Sequence, residues 1–290
     1  MPTSHRDAAM AADLLDLHAQ GVYGRLAEQR RVTMTAAGEK LDPAHVLSAL
    51  RAPGTTLAFV DDTDFHGDSV SSLAPDFRVL AAVKLDSGRY SEIETALDDR
   101  LRRLGQLEFH GAEVFNPQVG SRWRDVSISN RIAMFDLMSA LVDRSGASMC
   151  YGYISAGQYE QMRRDWRQQG NADFCVNRDA ALKRVMLRSL QEELYAEGHP
   201  AMIMIDQDRR RSGIERDASE DAPWLVGGGI LTAPSNQVAG LQLADALSFG
   251  IGRRFRRAEQ FENNTATELD RAALGPIAAL DGRSRMVLGR

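Results

Sequence analysis

The sequence predicts a mixed α/β domain with a central sheet flanked by helices, and three observations lead there. Short apolar runs at 56–60 and 201–205 each close on an aspartate, Asp61 and Asp206. Such runs, bounded by polar residues, read as buried strands. Longer stretches at 90–104, 127–144 and 178–196 carry helical patterning and fall between the strands, as an α/β order requires. The stretch 240–249, Gly-Leu-Gln-Leu-Ala-Asp-Ala-Leu-Ser-Phe, is the helix around which the rest is organised. It sets Leu241, Ala244, Leu247 and Ile251 on one apolar face. Gln242 and Asp245, three apart, share a different face. An acid on so apolar a helix is costly to bury without a partner.

The elements follow in order. Residues 1–50 read as a helical N-terminal extension. Its stretch 8–26 is rich in alanine and leucine, and Asp42-Pro43 opens a second short helix with proline in the first turn. Arg51-Ala-Pro-Gly54 is a breaker cluster and marks the boundary with a domain over 51–290. The strand at 56–60 runs into Asp61-Asp62-Thr63-Asp64 and a polar loop holding His66, Gly67 and Asp68. A second strand at 77–85 completes a hairpin. The helix at 90–104 stops at Gly105. Residues 106–115 carry Glu108, His110 and Glu113 in a short span. The helix at 127–144 has Ser127 or Ser129 as its cap. A strand at 147–154, a basic helix at 158–167 and a longer helix at 178–196, stopped at Gly198, come next. The apolar strand at 201–205 belongs in the sheet centre. Asp206-Gln-Asp208 and Arg209-Arg210-Arg211 then open a long loop to Trp224, and loops of that length often carry function. Residues 225–231 read as a glycine-rich strand. Gly227-Gly228-Gly229 lacks the lysine-serine pair of a phosphate loop and fits close backbone packing instead. The organising helix ends in Arg253-Arg254-Phe-Arg256-Arg257, and the tail from Thr267 reads as one more helix.

Composition narrows the function. The 290 residues are 43% hydrophobic and carry a net charge of −5. That suits a sizeable core and excludes a general basic coat for nucleic acid, leaving local patches as the route to an anionic partner. Among the cations only Lys40, Lys84 and Lys183 are lysine; the rest are arginine. Arginine suits bidentate phosphate contacts, and a coding bias toward arginine gives the same pattern. Cys150 and Cys175 stand alone without a signal peptide, which reads as a reduced, cytoplasmic protein. No apolar run approaches the ~18 residues of a membrane span, so no membrane partner is expected.

Asp61 and Asp206 sit at strand ends, where the ligand sites of open α/β sheets gather. Glu108 and Asp245 are the third and fourth acids of a candidate cluster. Crowded carboxylates repel, and one protonates unless a cation intervenes. A hard ion with oxygen ligands, Mg²⁺ or Mn²⁺, is the usual answer. A strand-end aspartate is also a common turn or cap, and that reading stands beside the first.

Four segments together resemble the bacterial and phage family called domain of unknown function 3800. They are Asp61-Asp62-Thr63-Asp64, Glu108-Phe-His110-Gly-Ala-Glu113, Ile205-Asp206 and Leu241-Gln242-Leu243-Ala244-Asp245. The resemblance covers about residues 56 to 257, and its last element is the most specific. It departs from the family pattern at Asp62 for glutamate, Thr63 for serine and Asp64 for a turn glycine. The family is similar to ribonuclease H-like folds, in which four acids hold two metal ions. The resemblance therefore implies a ribonuclease H-like mixed sheet. It also implies Asp61, Glu108, Asp206 and Asp245 as ligands, and a metal-dependent nuclease.

His110 is a candidate proton shuttle or a partner that orients Glu108. Glu113 is a candidate extra ligand. Gln242 either meets substrate or braces its helix. Arg209, Arg210 and Arg253 are candidate phosphate contacts, although Arg253–Arg257 also suits the negative end of its helix. Arg163, Arg164 and Arg167 read as a solvated face. Phe174, Trp166 and Trp224 are stacking candidates or core residues. The expected function is divalent-metal-dependent cleavage of nucleic-acid phosphodiesters. The alternatives are a non-catalytic binding or regulatory protein that keeps the fold, and a metal phosphohydrolase acting on nucleotides. Residues 1–50 are a candidate arm for a homodimer, or a lid.

Overall fold

The computed structural model describes residues 39–65, 77–168, 177–207, 213–216, 222 and 224–288. The expected helix at 8–26, His66, Asp68, Phe174, Cys175, Asp208 and Arg209–Arg211 lie outside these residues.

The elements are β1 (Glu39–Leu41), α1 (Pro43–Ala49), β2 (Thr56–Phe65), β3 (Phe77–Asp86), α2 (Ser87–Arg103), α3 (Gly111–Phe115), α4 (Ile128–Ser145), β4 (Ser148–Ser155), α5 (Ala156–Gln168) and α6 (Arg178–Glu197). There follow β5 (Ala201–Asp206), β6 (Ile214–Arg216), β7 (Leu231–Ala233), α7 (Ala239–Arg256), α8 (Ala258–Glu262), α9 (Glu268–Ala278) and β8 (Ser284–Leu288). One mixed eight-stranded sheet runs in the order β1-β6-β7-β5-β2-β3-β4-β8. β2, β3 and β4 form an antiparallel meander, while β5 lies parallel to β2 and β7 parallel to β5.

Local chemistry sets the helix ends. The Asp42 carboxylate accepts the Ala44 N–H at 3.0 Å and Pro43 takes the first helical position of α1, where its missing N–H costs nothing. Ser127 caps α4 by accepting from Asn130, and Gly146, at φ 65°, closes it. Thr267 and Asp270 form a reciprocal capping box on α9, which satisfies two of the helix's orphan donors.

The sheet separates two apolar layers. Leu57, Phe59, Val79, Ala81 and Val83 point into the larger core, with α2, α4, α7 and α9. Ala58, Val60, Leu80, Ile203 and Ile205 point to the other side, under α6. Alternation along β2 therefore sends Asp61 to the α7 side and Asp62 away from it. Asp62 pairs there with Arg78, which also reaches Asp179 of α6.

Three expectations are corrected. β2 does not end at Val60. It stays paired with β3 through Phe65, and only its pairing with β5 stops at Val60↔Ile205; the hairpin carries the backbone straight through the expected turn at Asp64. Residues 225–230 are not a strand: Gly227 and Gly228 have φ of 90° and 73°, a left-handed backbone that makes turns, and the strand is the shorter β7. Residues 39–50 add a strand to the sheet edge, and Val46 and Leu50 enter the main core, so they are not a separate extension. Helix α7 is enclosed along most of its length: Ala239 through Arg253 are buried between the sheet and an outer helical layer.

Candidate carboxylate site

Helix α7 lies along β2 in near-contact. A Cβ on Gly240 would stand 2.4 Å from the Phe59 ring, so only glycine lets the helix come so close. Further along, the hydroxyls of Thr63 and Ser248 meet at 3.1 Å. Two strand residues rise about 6.6 Å and four helical residues about 6 Å, so strand and helix stay in step. Between those two contacts the same matching places Asp245 opposite Asp61.

Asp61 is 9% exposed and Asp245 5%. The Asp61 carboxyl is held well above its ordinary range, first by burial, then by the charges of Asp245, Asp206 and Asp62. Asp206 closes β5 beside it, one residue past the last β2–β5 pair. Its carboxyl is pushed up to about 6, first by burial and further by Asp245 and Glu108, while the N–H groups of Gln207 and Ser235 oppose the rise. Mutual repulsion of this kind joins all four expected acids in one electrostatic cluster at the carboxyl ends of parallel strands.

Glu108 comes from the irregular segment before α3, and α7 holds that segment at two points. The Phe109 N–H donates to Gln242 Oε1 at 2.7 Å, and the Gly111 N–H donates to Asp245 Oδ2 at 2.6 Å. The three-residue spacing of Gln242 and Asp245 is thus a clamp on the backbone of 109–111. Gln242 is 2% exposed and its Nε2 donates to Ser235 O at 3.0 Å; its amide is engaged inside the protein rather than presented to a substrate. Ser235 follows β7 and donates its hydroxyl to Glu108 Oε2 at 3.3 Å. Its place between Glu108 and Asp206 was not foreseen, because the strand before it was read several residues too early.

His110 Nδ1 lies 3.4 Å from Asp245 Oδ2, and the side chain is 41% exposed. It therefore stands beside Asp245. Glu113 accepts the Ser121 hydroxyl at 3.0 Å and lines the same cleft as Glu108. Arg253, a candidate phosphate contact, is 6% exposed. It pairs with Asp270 and stacks 4.0 Å over the Phe115 ring, a structural role set by burial. Trp224 packs edge-on against Tyr195 at 5.9 Å, remote in sequence from every acid of the cluster.

Whether the cluster fits a cation turns on the chemistry of its donors. Among the described residues none of the four acids is paired with arginine or lysine. Asp206 Oδ1 is buried without a hydrogen-bond partner, a costly state for a carboxylate. Hard oxygen donors, excess negative charge and an orphaned oxygen suit Mg²⁺ or Mn²⁺. The side chains are not gathered into a finished cage: no group of three or more acids, histidines or cysteines among the described residues stands in ligand geometry.

The chain is thus an α/β protein with a mixed, helix-flanked sheet and a partly buried carboxylate cluster at the ends of its parallel strands. Compared with protein-family models, curated proteins and solved structures, it matches none. Among the described residues no helix is long and apolar enough to cross a membrane.

Proposed function

We propose that the protein is a divalent-metal-dependent hydrolase that cleaves nucleic-acid phosphodiesters, on a ribonuclease H-like sheet of the kind the domain of unknown function 3800 resemblance implies. The observation that carries the proposal is the mutual repulsion of Asp61, Asp206, Asp245 and Glu108, drawn from two strands, a helix and a loop, with no arginine or lysine paired to them among the described residues. The β2–β3–β4 meander with β5 and β7 added parallel beside β2 supports the fold assignment.

Asp61 and Asp206 would hold Mg²⁺ or Mn²⁺, with Glu108 and Asp245 completing the donor set. When bound, such an ion supplies Lewis acidity and charge neutralisation for phosphodiester hydrolysis. The chain does the rest. Gln242 and the Oδ2 atom of Asp245 fix the backbone that carries Glu108. Ser235 orients the Glu108 carboxylate. His110, half-exposed beside Asp245, is placed to pass a proton between the site and solvent.

The test is incubation of the wild type and Asp206→Asn with single-stranded DNA, duplex DNA, RNA and mixed nucleotides in Mn²⁺. Cleavage by the wild type and its loss in the variant support the proposal. Cleavage that survives in Asp206→Asn places the chemistry elsewhere and refutes it. Turnover of nucleotides alone makes the protein a phosphohydrolase of small substrates.

A further inference from the structure

A cleft of about 430 Å³ opens beside the carboxylates. We infer that it is a subsite for one unpaired base of a single-stranded nucleic acid. The inference rests on the phosphodiester reading above, and it names the form of the substrate.

Glu108 belongs to both features: it takes part in the acid cluster and lines the cleft, with Gln106, Leu107, Glu113, Val119, Arg122 and Trp123 among the other walls. A strand with a phosphate at the acids therefore lays its neighbouring nucleotide at the cleft mouth. The volume lies at the low end of the ~300–1,000 Å³ range of small-molecule pockets. It suits one nucleotide, and a base still paired in a duplex cannot turn into it.

The walls match a flat ring with polar edges. Leu107 is 65% exposed and Val119 87%, large apolar side chains with nothing over them among the described residues. Trp123, 2% exposed, forms part of the floor. Gln106 is buried, and its Nε2 donates to Leu104 O at 3.2 Å and Arg122 O at 3.1 Å. Both amide hydrogens are spoken for, so the group cannot flip. Its Oε1 takes no hydrogen bond among the described residues and is a fixed acceptor for a base N–H.

The cleft wall holds one cation, Arg122, and two carboxylates, Glu108 and Glu113, the second of which accepts the Ser121 hydroxyl at 3.0 Å. Arg122 and Arg124 are exposed, and their guanidinium groups make no hydrogen bond or ion pair among the described residues. Arg122 lines the cleft, where a backbone phosphate beside the base would pass, a contact arginine makes well. Single strands are held in this way, by bases against apolar or aromatic walls and phosphates on nearby cations.

The experiment measures fluorescence anisotropy of a labelled mixed-sequence hexanucleotide in Ca²⁺, with wild type, Leu107→Ser/Val119→Ser and Arg122→Gln. The two serine substitutions fall on exposed side chains and leave the core intact. We expect about tenfold weaker binding in the double variant, the scale of one lost base contact, with Mn²⁺ binding by calorimetry unchanged. A hexanucleotide carrying one abasic position lowers wild-type affinity and makes no difference to the double variant. Affinity within twofold of wild type in the double variant overturns the subsite, as does a duplex that binds as well as the single strand. If the wild type binds no Mn²⁺, the carboxylate reading fails separately. Hydrogen-exchange protection of 106–108 and 118–123 by the same oligonucleotide then still decides the cleft: protection upholds it and its absence removes it.

Discussion

Replacing Asp206 by asparagine should make the protein more stable at neutral pH, although it removes a proposed metal ligand. The Asp206 carboxyl is raised from its ordinary 3.8 to about 6 by burial and by the charges of Asp245 and Glu108. Because the folded value lies above the unfolded one, Asp206 adds stability below pH 3.8 that is lost as the pH rises through about 6. The full gap is worth about 3 kcal/mol, at about 1.4 kcal/mol per pH unit. Asp206 is partly exposed, so screening cuts this to about 1–2 kcal/mol. Asparagine keeps the shape and removes the charge. At pH 8, Asp206→Asn should melt about 2–8 °C above wild type, at the 2–4 °C per kcal/mol of large domains. At pH 4 the two should melt together. Mn²⁺ at a hundred times its dissociation constant should stabilise wild type by about 2.7 kcal/mol and the variant by clearly less. The assay is scanning calorimetry at both pH values, with and without Mn²⁺. A variant that melts below wild type at pH 8, with no effect of Mn²⁺ on either protein, would refute the crowded-carboxylate reasoning.

Other perturbations probe the scaffold. Gly240→Ala should destabilise by about 1–3 kcal/mol or more through the clash with Phe59, and Phe59→Leu in the same chain should return part of that in urea unfolding. Arg253→Met should cost about 3 kcal/mol in the same measurement, because it leaves the buried Asp270 carboxylate with only its Thr267 contacts. His110→Ala should leave Mn²⁺ binding by calorimetry intact and lower the cleavage rate about 10²-fold or more; an unchanged rate would remove the proton-transfer role.

The site was more legible than the strand ends, for a physical reason. Acids at the close of apolar runs stand out because burying charge is expensive, so Asp61 and Asp206 announced themselves. Asp245 did so for the same reason, as the one acid of an otherwise largely apolar helix. Backbone geometry leaves a weaker trace. Asp62, Thr63 and Asp64 look like a turn by composition, yet pairing with β3 extends the strand to Phe65; tertiary contact overrides a local preference of that size. The short strands β1, β6 and β8 have three to five residues each, too few for a period of two to show. Ser235 carries no signal at all, since a serine after a strand is ordinary until Glu108 and Asp206 are seen on either side of it.

Gln242 shows how a spacing can be read correctly and its purpose missed. Placed three residues before Asp245, it invites the idea of two groups facing a common ligand. The structure turns both toward the same backbone, at Phe109 and Gly111. That use explains why glutamine stands there. Its carbonyl accepts one N–H while its amide donates to Ser235 O, and a carboxylate could do only the first. Glu in its place would leave Ser235 O with only the Val238 N–H and add a fifth charge beside four that already repel. Helix α7 therefore supplies one charged group to the cluster and one neutral group to its support, and Gln242→Glu should impair the site more than Gln242→Met, whose loss is confined to two hydrogen bonds.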